Sequence, residues 1–332
     1  MDSTFRFKAA RDRGCIFLLR HQGVMGEFPE GQPVLDDYYK ALTAFQACGH
    51  NLAAHRLCQW IRTKGMTAQG DFGPKQEAAA GYALAYFNAW VVVGAHRLGQ
   101  FDISFRGIEF ILRFQDKQTG GFYSHPTQQN SETKQDLMVV SMCGLACLST
   151  GKTQAALRAG DWLKTVMATQ PDFPNRLYTV HSRAKGLHID HDPQKDFRFV
   201  VVADSKEDQA FFNPGIAAGF LCRLFQATKN KEWLQLAIEY MRFAEVARDE
   251  LFLLIRAGKV GWAASLLFTV TGDEKYRAMA IRIGHNLVDL QSKQGYWSAV
   301  GKQTPNYDST AERVIWMDEI TQVSDGLNTR GP

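Results

Sequence analysis

The feature that most constrains the fold is a phrase that recurs six times along the chain. In each copy an amphipathic helix is followed by a polar or glycine-containing turn and then by an aromatic residue, as in "RGIEFILRFQDKQTGGFY" (106–123). The copies follow one another at roughly 45–50 residues, with one longer gap, which is typical of two-helix repeat units. The aromatic residues that end the copies are Phe28, Phe72, Phe122, Phe173, Phe252 and Trp297.

A second series of helices is predicted between these copies, and it is richer in Ala, Gly and aromatic residues. A helix that is apolar most of the way round is a buried helix, so we predict that this series forms an inner layer. The first series carries more Lys, Arg, Asp and Gln and therefore forms the outer layer. The inner segments are 37–54, 78–99, 135–152, 211–230, 259–274 and 311–324.

Six inner and six outer helices predict an all-α fold, an (α/α)6 barrel or toroid of six helical hairpins, formed by a single domain over 1–332. The N-terminal helix would be the outer partner of the C-terminal inner helix, which closes the ring. An open superhelix is the alternative, but it needs capping helices with a polar outer face, and neither end shows one. The segment near 176–204 departs from the pattern, because its β-like runs "RLYTVHS" and "FRFVVVAD" predict an inserted β-hairpin.

Composition limits the class of protein. The chain has 332 residues, 45% of them hydrophobic and 22% charged, with a formal net charge of +4, as in soluble globular proteins. No basic run indicates nucleic-acid binding, and no segment predicts membrane association. Six cysteines without a C-x-x-C pair and an N-terminus without an apolar signal core favour free thiols and a cytoplasmic location. We expect a small-molecule substrate, and the oligomeric state stays open.

The longer connections, from each outer helix to the next inner helix, are predicted to gather at one end of the ring and form the mouth of a central cavity. Carboxylates and histidines around an aromatic cavity suit acid–base chemistry, although helix capping is an alternative role for any Asp near a helix start. The predicted catalytic residues are Asp71, His125, Asp208 and Glu312. The predicted substrate-binding residues are Phe72, Phe122, Tyr123, His181, Phe212, Trp262, Trp297 and Asp308.

Metal and cofactor motifs are not found in the sequence. The cluster "HIDHDP" (188–193) contains ligand residue types but no zinc-site spacing, so we interpret it as a solvated turn and predict no metal. No G-x-G-x-x-G, G-x-x-x-x-G-K-[ST] or G-x-S-x-G sequence is present, and we predict no cofactor.

The repeated "Q…GGFY", "Q…GDF" and "Q…GYW" phrases resemble the Gln/Gly/aromatic turns of squalene-cyclase-like and prenyltransferase-like α/α toroids. The DxDD and DDxxD motifs of terpenoid enzymes are absent, so no catalytic residue is carried over. The same barrel occurs in carbohydrate enzymes, such as unsaturated uronyl hydrolases and N-acylhexosamine epimerases, which use Asp or His beside Trp and Tyr.

We hypothesise a metal-independent acid–base cyclase or isomerase acting on an apolar, terpenoid or polyketide-like molecule, because the predicted rim is rich in aromatic residues and carries carboxyls and histidines but no cofactor motif. A carbohydrate hydrolase, lyase or epimerase is the first alternative to this expectation. A non-catalytic helical binding scaffold is the second alternative.

Overall fold

The protein is described from a computed structural model, which covers residues 2–190 and 198–325. A π-helical turn, Ile61–Gly65, follows the helix Asn51–Trp60, and a 3-10 turn, Ile255–Ala257, precedes the helix Gly258–Thr271. The helices are α1 (Ser3–Leu19), α2 (Leu35–Tyr38), α3 (Ala41–Ala47), α4 (Asn51–Trp60), α5 (Glu77–Ala80), α6 (Leu84–Arg97), α7 (Phe101–Leu112), α8 (Leu137–Ser149), α9 (Thr153–Ala168), α10 (Phe212–Thr228), α11 (Lys231–Val246), α12 (Asp249–Phe252), α13 (Gly258–Thr271), α14 (Glu274–Asp289) and α15 (Tyr307–Ser324).

The inner layer is a closed ring of α3, α6, α8, α10, α13 and α15, in which each helix packs against the next and α15 packs against α3. The outer partners of the first five are α4, α7, α9, α11 and α14, and α1 packs against α15. The predicted (α/α)6 toroid is therefore confirmed, and the contact between α15 and α3 excludes the open superhelix. Residues 51–54, which the sequence pattern assigned to an inner helix, belong to the outer helix α4.

Burial follows the two layers. In α13, every residue from Gly258 to Leu267 is buried, so this inner helix is enclosed on all sides. Its outer partner α14 buries Tyr276, Ala280, Ile283, Gly284 and Leu287, at three- and four-residue intervals. Because residues at these intervals share one face of a helix, α14 presents a single apolar stripe to the ring.

The repeated glycine is a joint between neighbouring outer helices. Gly120 has a φ of 81°, and a Cβ atom there would lie 2.4 Å from the carbonyl oxygen of Arg158 on the next outer helix. Only glycine tolerates both the left-handed backbone and this close approach. Three further glycines with positive φ would bring a Cβ within 2.5 Å of an arginine carbonyl oxygen in the same way, namely Gly26 (Arg56), Gly70 (Arg106) and Gly295 (Arg13).

The inserted β-structure near 176–204 is confirmed, with one difference. Strand β2 (Arg176–Tyr178) pairs antiparallel with β5 (Val200–Val202), as expected for the two β-like runs. The second half of the first run, β3 (Val180–Ser182), pairs instead with β1 (Gln135–Asp136) and β4 (Gly186–Leu187). Part of the "HIDHDP" cluster, 191–193, lies outside the described residues.

Two further findings concern predictions made from composition. None of the six cysteines forms a disulfide bond. No helix among residues 2–190 and 198–325 combines the length and the apolar character needed to cross a membrane.

Candidate active site

A cavity of about 850 Å³ opens at the end of the ring where the inner helices begin, and we call it the mouth cavity. All six inner helices contribute to its lining with residues from their first two turns or from the position just before them. Because the N-terminal end of an α-helix carries a partial positive charge, six positive ends converge on this space. One lining residue from each helix, in chain order, is Lys40, Tyr86, Met138, Phe212, Lys259 and Glu312.

Five charged residues form an ion cluster at this cavity, and we call Lys40, Lys259, Asp308, Glu312 and Arg313 the floor cluster. The Glu312 carboxylate accepts hydrogen bonds from Lys40 Nζ (2.5 Å to Oε2) and from Lys259 Nζ (to Oε1). Arg313 Nη1 donates to Oε2 at 3.3 Å, and Lys40 Nζ also lies 2.8 Å from Asp308 Oδ1. Lys40, Lys259, Arg313 and Glu312 are each less than a tenth exposed.

The charges of the floor cluster set its pKa values. Burial alone would raise the pKa of Glu312, but the cations of Lys259, Lys40 and Arg313 hold that pKa well below its usual range. Burial lowers the pKa of Lys259 to about 8, against the opposing effect of Glu312. Lys40 contacts two carboxylates, which outweigh burial and raise its pKa above the ordinary value. Lys259 contacts one, and it is therefore the lysine of the cluster that titrates near neutral pH.

Aromatic side chains surround the cluster. The Lys259 Nζ lies 5.0 Å from the centroid of the Phe212 ring. Trp316 donates its indole N–H to Glu312 Oε1 (3.1 Å) and stacks on Trp262 with a centroid distance of 5.0 Å. Trp262 and Trp316 line a second cavity of about 580 Å³. The ring centre is thus filled by tryptophans between the two cavities.

Two arginines extend the positive lining toward the opening. Arg256 donates from Nε to Asp208 at 3.0 Å, and Asp208 itself lines a neighbouring pocket of about 500 Å³. Arg198 lies 4.3 Å from the centroid of the Tyr82 ring. Tyr82 donates its hydroxyl to Asp136 Oδ2 (3.2 Å), and burial raises the pKa of Asp136, the N-cap of α8, to about 6.

Three predicted site residues line the mouth cavity, Glu312, Asp308 and Phe212. Asp208 reaches it only through Arg256. Trp262 lies one layer deeper, against Trp316 and the second cavity.

Three other predicted residues do not line the cavity. Asp71 pairs with Lys75 Nζ at 2.6 Å on the turn after α4. His125 is exposed, and His181 is half-buried at the edge of the Trp162 ring, where burial lowers its pKa. For Asp71 and His125 the physical reason is that the glycine joint turns the chain against the next outer helix, so the residues that follow it stay away from the ring centre. His181 instead lies on strand β3 of the inserted β-structure.

The predicted aromatic walls are also corrected. Phe72, Phe122 and Trp297 are completely buried and absent from the cavity lining. The indole N–H of Trp297 donates to the carbonyl oxygen of Leu287 on α14 (2.7 Å), so this ring belongs to the packing between layers. Tyr123 is buried beside Arg183, outside the cavity.

Lys40 and Lys259 line the cavity but are not among the predicted catalytic or substrate-binding residues. Both lie in otherwise apolar inner segments, "YYKALTAF" and "AGKVGWAASLLF". A lysine inside such a segment indicates a buried ion partner, because lysine is seldom fully buried unless it is paired. Among the described residues, no three His, Cys, Asp or Glu side chains are grouped closely enough to hold a metal ion.

The sequence matches no family model and no curated protein. The structure is similar to that of a D-mannose isomerase, with a TM-score of 0.71 and 13% identity over 95% of this chain and 97% of that chain. It is also similar to an unsaturated glucuronyl hydrolase specific for heparin, with a TM-score of 0.67 and 14% identity over 96% of this chain and 97% of that chain. A third similar structure is that of an α-1,6-mannanase from Salegentibacter sp. HEL1_6, with a TM-score of 0.64 and 11% identity over 96% of this chain and 99% of that chain.

These identities are low, so the likeness concerns the fold. These three neighbours are carbohydrate enzymes by name, and none of them is named as a terpenoid cyclase. The chain has the α/α-toroid fold, and its structural neighbours are enzymes that isomerise or hydrolyse carbohydrates.

Proposed function

We propose that the protein is a carbohydrate-active enzyme of the isomerase or epimerase type. It transfers a proton at the carbon next to the carbonyl group of a saccharide bound in the mouth cavity. The observation that carries this proposal is Lys259, a buried cavity-lining amine whose pKa of about 8 lies near physiological pH. The names of the structural neighbours, which include a D-mannose isomerase, support the choice of substrate class.

Proton abstraction beside a carbonyl needs a base whose pKa lies near the working pH. The neutral amine of Lys259 takes the proton, and the resulting ammonium returns it to the neighbouring carbon. Glu312 holds this ammonium in place through its contact with Nζ. Lys40 donates a hydrogen bond to Glu312 and forms an ion pair with Asp308, and a remaining N–H group can stabilise the oxygen on which negative charge develops.

Glycoside hydrolysis requires a different arrangement. A glycosidase protonates the leaving oxygen with a carboxylic acid whose pKa is raised. Glu312 is held ionised by three cations. Asp136 has a raised pKa, but its two oxygens accept hydrogen bonds from the start of α8 and from Tyr82. Neither Glu312 nor Asp136 is therefore free to act as this acid.

The cavity also has the shape and surface that a saccharide requires. Its volume of about 850 Å³ lies within the usual range of small-molecule sites. Aromatic rings of Tyr39, Tyr86 and Phe212 offer flat apolar surfaces for the C–H face of a sugar, while the floor cluster offers donors and acceptors for its hydroxyl groups.

The test is proton exchange in D₂O. The purified protein is incubated with a panel of aldoses and ketoses, and ¹H NMR follows the loss of the proton signal next to the carbonyl group, at C2 of an aldose and at C1 of a ketose, and the appearance of the isomer. We expect exchange whose rate rises between pH 6.5 and 8.5, as Lys259 loses its proton. Lys259→Met lowers kcat by roughly 10²–10⁴-fold. Lys164→Met, at an ion pair on the outer helix α9, leaves kcat unchanged. The absence of C2 exchange with every saccharide would refute the proposal.

A further inference from the structure

We infer that the saccharide of the mouth cavity carries a neutral, apolar substituent, an alkyl or aryl group, which binds in a groove that adjoins this cavity. The inference rests on the proposed function in one respect, that the mouth cavity is the substrate site. It adds the chemical class of the substrate, which proton transfer beside a carbonyl group by itself leaves open.

The groove is the neighbouring pocket of about 500 Å³, and we call it the side groove. Its walls come from three separate segments, 253–255 before α13, 290–296 at the end of α14, and 298–303 in the loop before α15. The Tyr296 hydroxyl donates to the carbonyl oxygen of Gln303 at 3.2 Å, which holds the loop against the segment that precedes it. Its volume lies within the usual range of small-molecule sites.

The side groove is continuous with the mouth cavity. Ile255, Ala299 and Val300 line both of them. The two spaces also meet at an ion pair, in which Arg256 of the mouth cavity donates from Nε to Asp208 of the side groove at 3.0 Å. A single ligand that extends past these shared residues therefore contacts both spaces.

Exposed apolar side chains are concentrated in the side groove. Leu253 is 58% exposed, Leu290 is 44% exposed and Val300 is 38% exposed, and all three line the groove. Single exposed apolar residues are ordinary on a protein surface, but a group of them in one concave region marks a binding site. An apolar ligand group that covers these side chains removes them from water, and this burial favours binding.

The division between the two spaces decides how the ligand is oriented. Lys259 lines the mouth cavity and does not line the side groove, so the carbon that exchanges its proton lies in the mouth cavity. The substituent is therefore attached to a hydroxyl group away from the carbonyl group. Because it is neutral, it brings no charge near Lys259 and leaves the amine able to act as a base.

Calorimetry with three neutral, open-chain ligands tests the inference. D-mannitol is the reduced form of D-mannose, 6-O-heptyl-D-mannitol adds an apolar chain, and 6-O-[2-(2-methoxyethoxy)ethyl]-D-mannitol adds an ether chain of the same length. None has a carbonyl group, so none can be isomerised. We expect the heptyl ligand to bind about tenfold or more tightly than the other two, with a more negative heat-capacity change. Equal affinity for the heptyl and ether ligands would overturn the inference.

A double variant assigns the preference to the side groove. Leu253→Gln/Leu290→Gln replaces two exposed leucines, so we expect it to fold and to lower the affinity for the heptyl ligand to that for the ether ligand. The matched control is Leu52→Gln on the outer helix α4, where the leucine is 72% exposed, and it should keep the preference. A heptyl preference that survives the double variant, or an equal loss of affinity for all three ligands, would contradict the inference.

A second copy of the chain is the alternative occupant of the side groove. Sedimentation velocity at increasing protein concentration distinguishes the two. We expect the wild type and Leu253→Gln/Leu290→Gln to have the same oligomeric state. Self-association that the double variant abolishes, together with no preference for the heptyl ligand, would assign the groove to a second copy and overturn the inference.

The two proposals fail in different ways. A heptyl preference that depends on Leu253 and Leu290, without proton exchange of any saccharide, would support the inference and refute the proposed function. Proton exchange of saccharides together with equal binding of the heptyl and ether ligands would support the function and refute the inference.

Discussion

The substitution Glu312→Gln tests the floor cluster most directly. Glutamine keeps the shape of the side chain but removes the charge that Lys40, Lys259 and Arg313 share. Removing one partner of a buried ion pair costs about 3–5 kcal/mol. Asp308 still neutralises Lys40, and Lys259 can lose its proton at a cost of about 1.4 kcal/mol at pH 7, since its pKa is about 8. We therefore expect the free energy of unfolding to fall by about 3 kcal/mol at pH 7.

The loss should depend on pH in a defined direction. In the folded variant Lys259 is neutral, whereas in the folded wild type it stays charged up to its pKa of about 8. In both unfolded chains Lys259 is charged. Below pH 8 the folded variant therefore binds fewer protons than its unfolded chain, whereas the folded wild type does not. Only the variant therefore becomes more stable as the pH rises in this range. The difference between the two proteins should shrink by up to about 1.4 kcal/mol per pH unit between pH 6 and 8 and then level off.

The assay is urea denaturation at pH 6.0, 7.0 and 8.5, followed by tryptophan fluorescence and far-ultraviolet circular dichroism. Glu109→Gln, at an exposed pair with Lys152, is the matched control and should leave the free energy of unfolding unchanged. The double variant Glu312→Gln/Lys259→Met should be more stable than Glu312→Gln at pH 7, because methionine avoids the cost of deprotonating Lys259 on folding. A loss below about 1 kcal/mol, or the same loss at pH 6.0 and 8.5, would show that Glu312 does not neutralise buried cations.

Three further predictions concern residues away from the floor cluster. Trp297→Ala should lower the free energy of unfolding by about 3–5 kcal/mol in urea titrations, because a completely buried ring is lost, whereas Phe5→Ala, which is 62% exposed, should have little effect. A small effect of Trp297→Ala would argue against its role in the packing between layers. The raised pKa of the buried Asp136 carboxyl makes the wild type lose stability as the pH rises through 6, whereas the asparagine of Asp136→Asn does not titrate. The free energy of unfolding of Asp136→Asn should therefore rise relative to that of the wild type by up to about 3 kcal/mol between pH 4 and pH 7. Parallel stability profiles of these two proteins would contradict the burial of a charged carboxylate. His125→Ala should leave saccharide turnover unchanged, since His125 is exposed outside the cavity, and a large loss of kcat would return it to the site.

The helical ring could be predicted from the sequence because its signals are local. Apolar residues at three- and four-residue intervals define the outer helices, and in four of the six copies a glycine before the aromatic residue marks the turn. Gly120 illustrates this, since its φ of 81° and the carbonyl oxygen of Arg158 beside it both require the missing side chain. Glu312, Asp308 and Phe212 were also predictable, because residues at the start of an inner helix face the mouth of the ring.

The residues after the glycine turns were misassigned for a related reason. The sequence shows that Phe72, Phe122 and Trp297 follow a turn, but not whether the turn leads toward the ring centre or against the next outer helix. The close packing of the turn on that helix decides the direction and buries these rings between the layers.

The chain by itself therefore determined the number, order and layering of the helices, because each of these depends on residues within one or two turns of one another. Only the tertiary structure decided the chemistry of the site. Lys40 and Glu312 are 272 residues apart in sequence, and Lys259 and Glu312 are 53 apart, yet all three meet at one carboxylate. The pKa of Lys259 depends on that meeting, since burial and the neighbouring charges that shift it exist only once the ring has closed.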